Sequence, residues 1–144
     1  MTLFRFTYRS VASILFDEAA LLRLRLVSEN YNDRHSVTGL LVFDGVGFAQ
    51  TIEGPEAGVE CIVDRIMRDP RHHGITITFN DYVAERQFEG WSLQTVYKRP
   101  VTPAVEFVRE VKSAVASLKD VDVAAYFLDF VNPAKPGRNG LGLT

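Results

Sequence analysis

The feature that most constrains this chain is an ordered switch between two apolar periods along residues 1–97. Leu3 to Tyr8 alternates, with Phe4, Phe6 and Tyr8 on one side, as a strand with one buried face does. Asp17 can cap a helix carrying Leu21, Leu22, Leu24 and Leu26, with its end expected near Ser28 to Asn30. Val37 to Phe43 and Phe48 to Ile52 are strands joined by Asp44-Gly45-Val46-Gly47, a hairpin signal because glycine tolerates the positive φ of tight turns. Pro55 suits the first turn of a second helix, and Val59, Ile62, Val63 and Ile66 give it one apolar stripe. Asp69-Pro70 stops it, because the residue before a proline is pushed out of the helical region. Ile75 to Phe79 and Trp91 to Tyr97 supply two more strands, with Asn80 to Gly90 as an irregular or short helical connection. The order βαββαββ predicts an α+β sandwich of the ferredoxin-like plan, a mixed five-stranded sheet with two helices on one face.

Such a sheet would have a bare second face. Beyond Pro100 and Pro103, Val105, Val108, Val111, Val115 and Leu118 form a third helical stripe, and Val121 to Val131 reads as a short fourth helix. This C-terminal helical pair could cover the bare face or carry a partner surface. Residues 98–131 are therefore expected as a helical cap on residues 1–97, and residues 132–144, rich in Pro, Gly and Asn, as a flexible tail.

Composition narrows the class. The chain has 144 residues, 47% of them hydrophobic, enough for one domain with its own core. No apolar run approaches the roughly 20 residues of a membrane span. The net charge of −2 offers no basic field for nucleic acid. Cys61 is the only cysteine, which excludes an internal disulfide and suits a reducing cytoplasm. His35 lies far from the adjacent His72 and His73, so no metal site is expected.

Two polar residues stand in apolar rows. Strand alternation puts Gln50 with Phe48 and Ile52, and Tyr8 with Phe4 and Phe6. A buried polar group without a partner costs about 1–3 kcal/mol, so each needs one. The pair can bond to each other or to backbone, or they can share a ligand. Taken singly, Asn32 reads as a turn or helix C-cap, His72 as a surface residue beside Arg71, and Trp91 as a core anchor.

The joint pattern goes further. Tyr8-Arg9-Ser10, Asn32, Val37-Thr38-Gly39-Leu40-Leu41, Phe48-Ala49-Gln50-Thr51-Ile52-Glu53-Gly54, Asp69-Pro70-Arg71-His72 and Arg86-Gln87-Phe88-Glu89-Gly90-Trp91-Ser92 resemble, in order, the signature of BLUF domains, sensors of blue light using flavin. The resemblance implies a flavin, FAD or FMN, held between the two helices that pack on the sheet. It implies that Asn32 bonds the ring near its C4 carbonyl and N3, and that Gln50 bridges the N5/O4 edge and the Tyr8 hydroxyl. Arg65, Asp69, Arg71 and His72 would contact the far edge, the ribityl chain or the phosphate, and Ile66 would pack on the ring face. It further implies a photocycle in which Tyr8 lends an electron and a proton and Gln50 changes its hydrogen bonding, by rotation or by tautomerisation. The last strand, with Trp91 and Leu93, would relay the change to the C-terminal helices and so to a separate effector protein or through a homo-oligomer. Two positions depart from the family pattern: Leu93 stands where many members have Met, and Tyr31 where a small polar residue is common.

Two other functions fit the topology less well. An acylphosphatase-like hydrolase needs a phosphate-cradling loop, and Tyr8-Arg9-Ser10-Val11-Ala12-Ser13 contains no glycine. An RNA-binding module needs exposed aromatics among basic residues on central strands, and the Gln50 strand ends on Glu53 and Glu56. The chain is thus read as a sensor that turns over no substrate.

Overall fold

A computed structural model describes residues 2–132; the expected tail lies, from Pro133 on, outside the described residues. The elements are β1 (Leu3–Ala12), α1 (Glu18–Arg34), β2 (Thr38–Phe43), β3 (Gly47–Gly54), α2 (Glu56–Arg68), β4 (His72–Val83), β5 (Gln94–Tyr97), α3 (Ala104–Val115) and α4 (Val121–Phe130). The five strands form one mixed sheet in the order β4-β1-β3-β2-β5. Pairing is antiparallel except between β2 and β5. The ferredoxin-like α+β plan is therefore present. At the β2–β3 turn the Asp44 carboxylate accepts from the backbone N–H groups of Val46 and Gly47, and Gly45 has φ 94°.

β3 is the central strand, flanked by β1 and β2, and against β1 it sets Tyr8 opposite Gln50, Phe6 opposite Ile52 and Thr7 opposite Thr51. Alternation then sorts the residues onto two faces. Phe6, Tyr8 and Ile52 meet Val59 and Ile62 of α2 on one face. Leu21 of α1 packs with Leu41, Phe43, Phe48 and Leu93. On the other face Leu40, Val42, Ala49 and Val96 meet Phe107, Val111 and Val115 of α3 and Val123, Phe127 and Phe130 of α4. The C-terminal helices thus cover the second face. Each fully buried side chain of this size contributes roughly 1.5–3 kcal/mol.

Charged groups pin this cover. Arg5 of β1 makes a bidentate pair with Asp81 of β4 and a 2.8 Å bond to Asp120, whose carboxylate also caps α4. The buried Glu53 carboxylate accepts from the backbone N–H groups of Gln87 and Phe88, and the Gln87 side chain accepts from those of Lys119 and Asp120. The β4–β5 connection is thereby tied to β3 on one side and to the start of α4 on the other.

Several boundaries differ from expectation. α1 runs to Arg34 instead of ending near Ser28 to Asn30, and Ser36 (φ 57°) takes the left-handed position after it. Asn32 is therefore inside the last helical turn and is not a C-cap. Of the four leucines α1 carries, Leu21 is buried, Leu24 lines a cavity, and Leu22 and Leu26 are exposed. β4 spans His72–Val83, well beyond Ile75 to Phe79, because the ten residues of β1 offer it a long template; as a half-exposed edge strand it lacks a clean apolar alternation. β5 starts at Gln94, so Trp91 stands outside it; the Glu53 bonds hold the preceding residues in a loop that turns at Gly90 (φ 81°). α3 ends at Val115, leaving Leu118 beyond the helix, and its buried row is Phe107, Val111 and Val115, with Val105 exposed.

Candidate functional site

α1 and α2 part over the sheet, and a cavity of about 270 Å³ lies between them. Its floor comes from β1, β2 and β3 through Tyr8, Leu41, Phe48 and Gln50. The helical spacing of four presents two rows of α1 to it: Leu24, Ser28 and Asn32, and beside them Arg23, Val27 and Tyr31. α2 contributes Ile62, Arg65 and Ile66, and the turn after it Asp69 and Arg71, with His72 opening β4. Tyr8, Asn32, Gln50, Arg65, Ile66, Asp69, Arg71 and His72, the eight positions singled out in the sequence, all line this one space.

The floor holds the polar pair. Tyr8 donates its hydroxyl to Gln50 Oε1 at 2.6 Å, and the two residues are only 4% and 5% exposed. Burial pushes the Tyr8 hydroxyl far above an ordinary phenol, so it stays protonated and donates. With Oε1 occupied, the Gln50 Nε2 group has no partner among the described residues. Asn32, 1% exposed, donates from Nδ2 to the Ser92 carbonyl at 2.8 Å, and its Oδ1 likewise lacks a described partner. One amide donor and one amide acceptor are thus left for a ligand.

The wall at His72 is set by two bonds. Nε2 lies 2.7 Å from the Ile66 carbonyl, which can only accept, so Nε2 carries the proton. Nδ1, 2.7 Å from Ser10 Oγ, then accepts from that hydroxyl in the neutral ring. Arg71 forms a bidentate pair with Asp69, 2.6 Å at its shortest. Hydrogen bonding to Arg71 holds the Asp69 carboxyl below its ordinary range, and Asp69 in turn raises Arg71. Arg65 lies over the Tyr31 ring, 3.5 Å from its centroid, and so links α2 to α1. Phe16, in the loop before α1, closes another side edge-on to Phe43 and Phe48.

Trp91 and Leu93 do not line the cavity. Trp91 is 57% exposed, whereas Leu93 is 2% exposed and packs beside Leu21 and Leu41. Sequence reasoning missed Phe16, Arg23 and Val27 as lining residues. The α1 residues were legible in principle, since extending the helix to Arg34 would have put Arg23, Val27 and Tyr31 in line with each other. Among the described residues no group of three or more His, Cys, Asp or Glu side chains could hold a metal ion, and no helix is long and apolar enough to cross a membrane.

A cavity with apolar walls, into which Gln50 from the sheet and Asn32 from α1 each bring an amide end without a described partner, suits a ligand with an apolar body and polar atoms along one edge. The family model for BLUF domains, sensors of blue light using FAD, matches residues 3–94, and the chain belongs to this family. The blue light- and temperature-regulated antirepressor BluF of Escherichia coli (strain K12) is 40% identical over 62 residues, 43% of this chain and 15% of that protein. The photoactivated adenylate cyclase subunit beta of Euglena gracilis is 32% identical over 93 residues, 64% of this chain and 11% of that protein. The chain therefore spans less than a fifth of either curated relative. The dark-state structure of the BLUF protein BlrB superposes with a TM-score of 0.69 at 30% identity, covering 87% of this chain and 92% of that one. Residues 3–94 thus form a BLUF domain, a module that senses blue light with a flavin.

Proposed function

We propose that Tyr8 and Gln50 are the light-responsive pair of this sensor. The supporting observation is their 2.6 Å hydrogen bond, which fixes the amide with Oε1 toward the phenol and leaves Nε2 for the ligand. The residues fit a flavin in kind: Nε2 is a donor for acceptor atoms on the ring edge, and Asn32 Oδ1 is an acceptor for its imide N–H. Ile62, Ile66, Leu24 and Val27 supply apolar walls for the ring. Arg65, Asp69, Arg71 and His72 shape the remaining perimeter. Bound flavin, FAD or FMN, supplies the blue-light absorption and a transient electron acceptor.

Tyr8 would serve as the donor of an electron and of the proton it holds toward Gln50, and Gln50 as the residue whose amide exchanges its ends or tautomerises. Asn32 couples the site to the chain beyond, because its Nδ2 grips the Ser92 carbonyl next to Leu93 and β5. The relay runs through Leu93 and β5, and Trp91 has at most an outer part in it. Residues 1–97 act as the flavin-binding unit and residues 98–131 as the helical cap that passes the signal to a separate effector protein or through a homo-oligomer in the cytoplasm.

The test is an absorption spectrum before and after blue light. Purified protein is expected to be yellow, to shift slightly to the red on illumination and to recover in the dark. Gln50→Leu is expected to retain flavin and lose the shift. A full photocycle in Gln50→Leu would overturn the assignment.

A further inference from the structure

Three arginines line the cavity against a single carboxylate, and they are not equivalent. Arg71 is tied to Asp69 by a bidentate pair. Arg65 is laid flat on Tyr31. Arg23 lines the cavity from the exposed side of α1 and makes no hydrogen bond or ion pair with any described residue. The ion pairs that α1 and α2 do form leave Arg23 out: Glu18 pairs with Arg99, Glu29 with Arg25 and Asp64 with Arg68.

Position along the slot matters as well. Arg23 and Tyr31 stand eight residues apart on one face of α1, about 12 Å along the axis. At the Tyr31 end the Arg65 guanidinium bridges α2 to α1. At the other end lie Phe16, the Arg71 guanidinium over its ring, and His72 edge-on to Phe48. A ligand longer than its ring would have the Arg23 side of the cavity, away from this bridge, for its polar tail.

We infer that Arg23 grips the phosphate of the flavin's side chain, so that the pocket selects phosphorylated flavins over riboflavin; the inference rests on the flavin reading above. A guanidinium can meet a phosphate with two parallel N–H···O bonds, and Arg23 has all its donors free. One charge-assisted contact of this kind is worth about ten-fold or more in affinity.

The test is titration of flavin-stripped full-length protein with riboflavin and with FMN, followed by flavin fluorescence quenching. Wild type is expected to bind FMN about ten-fold more tightly than riboflavin, with the gap narrowing as salt rises. Arg23→Gln is expected to bring FMN close to riboflavin with the circular dichroism unchanged, and Arg23→Lys to keep part of the gap. An unchanged ratio in Arg23→Gln would overturn the inference and leave the flavin site standing, as would a ratio lost in Arg65→Gln and kept in Arg23→Gln. Failure of wild type to bind either flavin would overturn the flavin reading itself, and the inference with it.

Discussion

Replacing Tyr8 by Phe removes one oxygen from the floor of the pocket. The ring keeps its packing against Phe6, 5.8 Å between centroids, and its edge contact with His72 at 6.1 Å. No cavity larger than that oxygen opens. What is lost is the bond to Gln50, and Gln50 Oε1 is left buried without a donor. A net hydrogen bond is worth about 1 kcal/mol, and an unsatisfied buried acceptor costs about 1–3 kcal/mol. The amide can turn to recover part of this, so a destabilisation of about 1–2 kcal/mol is expected, or a Tm lower by roughly 3–8 °C for a chain of this size. Urea unfolding of the flavin-free protein measures it, and a cycle with Gln50→Leu should give a coupling of about 1 kcal/mol between the two positions. With flavin bound, Tyr8→Phe should be yellow in the dark and show no red shift in the light. Tyr8→Phe unfolding at the wild-type urea midpoint, together with a normal light shift, would refute the claim that this bond holds the dark state.

Three further outcomes follow from the geometry. Gly39→Ala drives a Cβ into the Thr51 carbonyl across the β2–β3 ladder, and should cost about 3 kcal/mol by denaturant unfolding. Burial raises the Glu53 carboxyl above its ordinary value despite the N–H donors around it, so the folded state holds this proton more tightly than the unfolded chain. Its stabilising contribution is complete below the ordinary carboxylate range and is lost as pH rises through the raised value; Glu53→Gln should flatten that decline in a series of Tm measurements between pH 4 and 8, a range chosen around the ordinary carboxylate value of about 4.3. Trp91 is the only tryptophan and stands 57% exposed, so Trp91→Ala should change stability by less than about 0.5 kcal/mol, and iodide should quench wild-type tryptophan emission readily.

The sheet and its pocket were legible because the strong signals there are local. Alternation placed Tyr8 and Gln50 each in the apolar row of its own strand, and the observed register sets them opposite each other. The α2 stripe and its stop at Asp69-Pro70 came from spacing and proline chemistry, and α2 does end at Arg68. What escaped depended on distant partners. Asn32 looks like a helix terminus until Ser92, 60 residues on, gives its amide a bond inside the last turn. Trp91 looks like part of a strand until Glu53 claims the backbone of Gln87 and Phe88 and holds a loop in its place. Arg65 and Arg71 were both candidates for a phosphate, and their partners differ: Arg71 pairs with Asp69 and Arg65 stacks on Tyr31.

The burial of β3 bears on what kind of movement light can produce. All eight of its residues are buried, and it is laddered to β1 on one side and β2 on the other. Side chains alternate, so a slip of β3 by one residue would turn Gln50 toward α3 and α4 and bring Thr51 or Ala49 into the pocket. It would also carry the Glu53 carboxylate to the wrong face and break its bonds to the β4–β5 connection. A displacement that empties the site of its own amide cannot be a step in a reversible cycle. On the role proposed for Gln50, the strand would serve as a fixed rail, and the rearrangement would be a torsion or proton shift within one side chain.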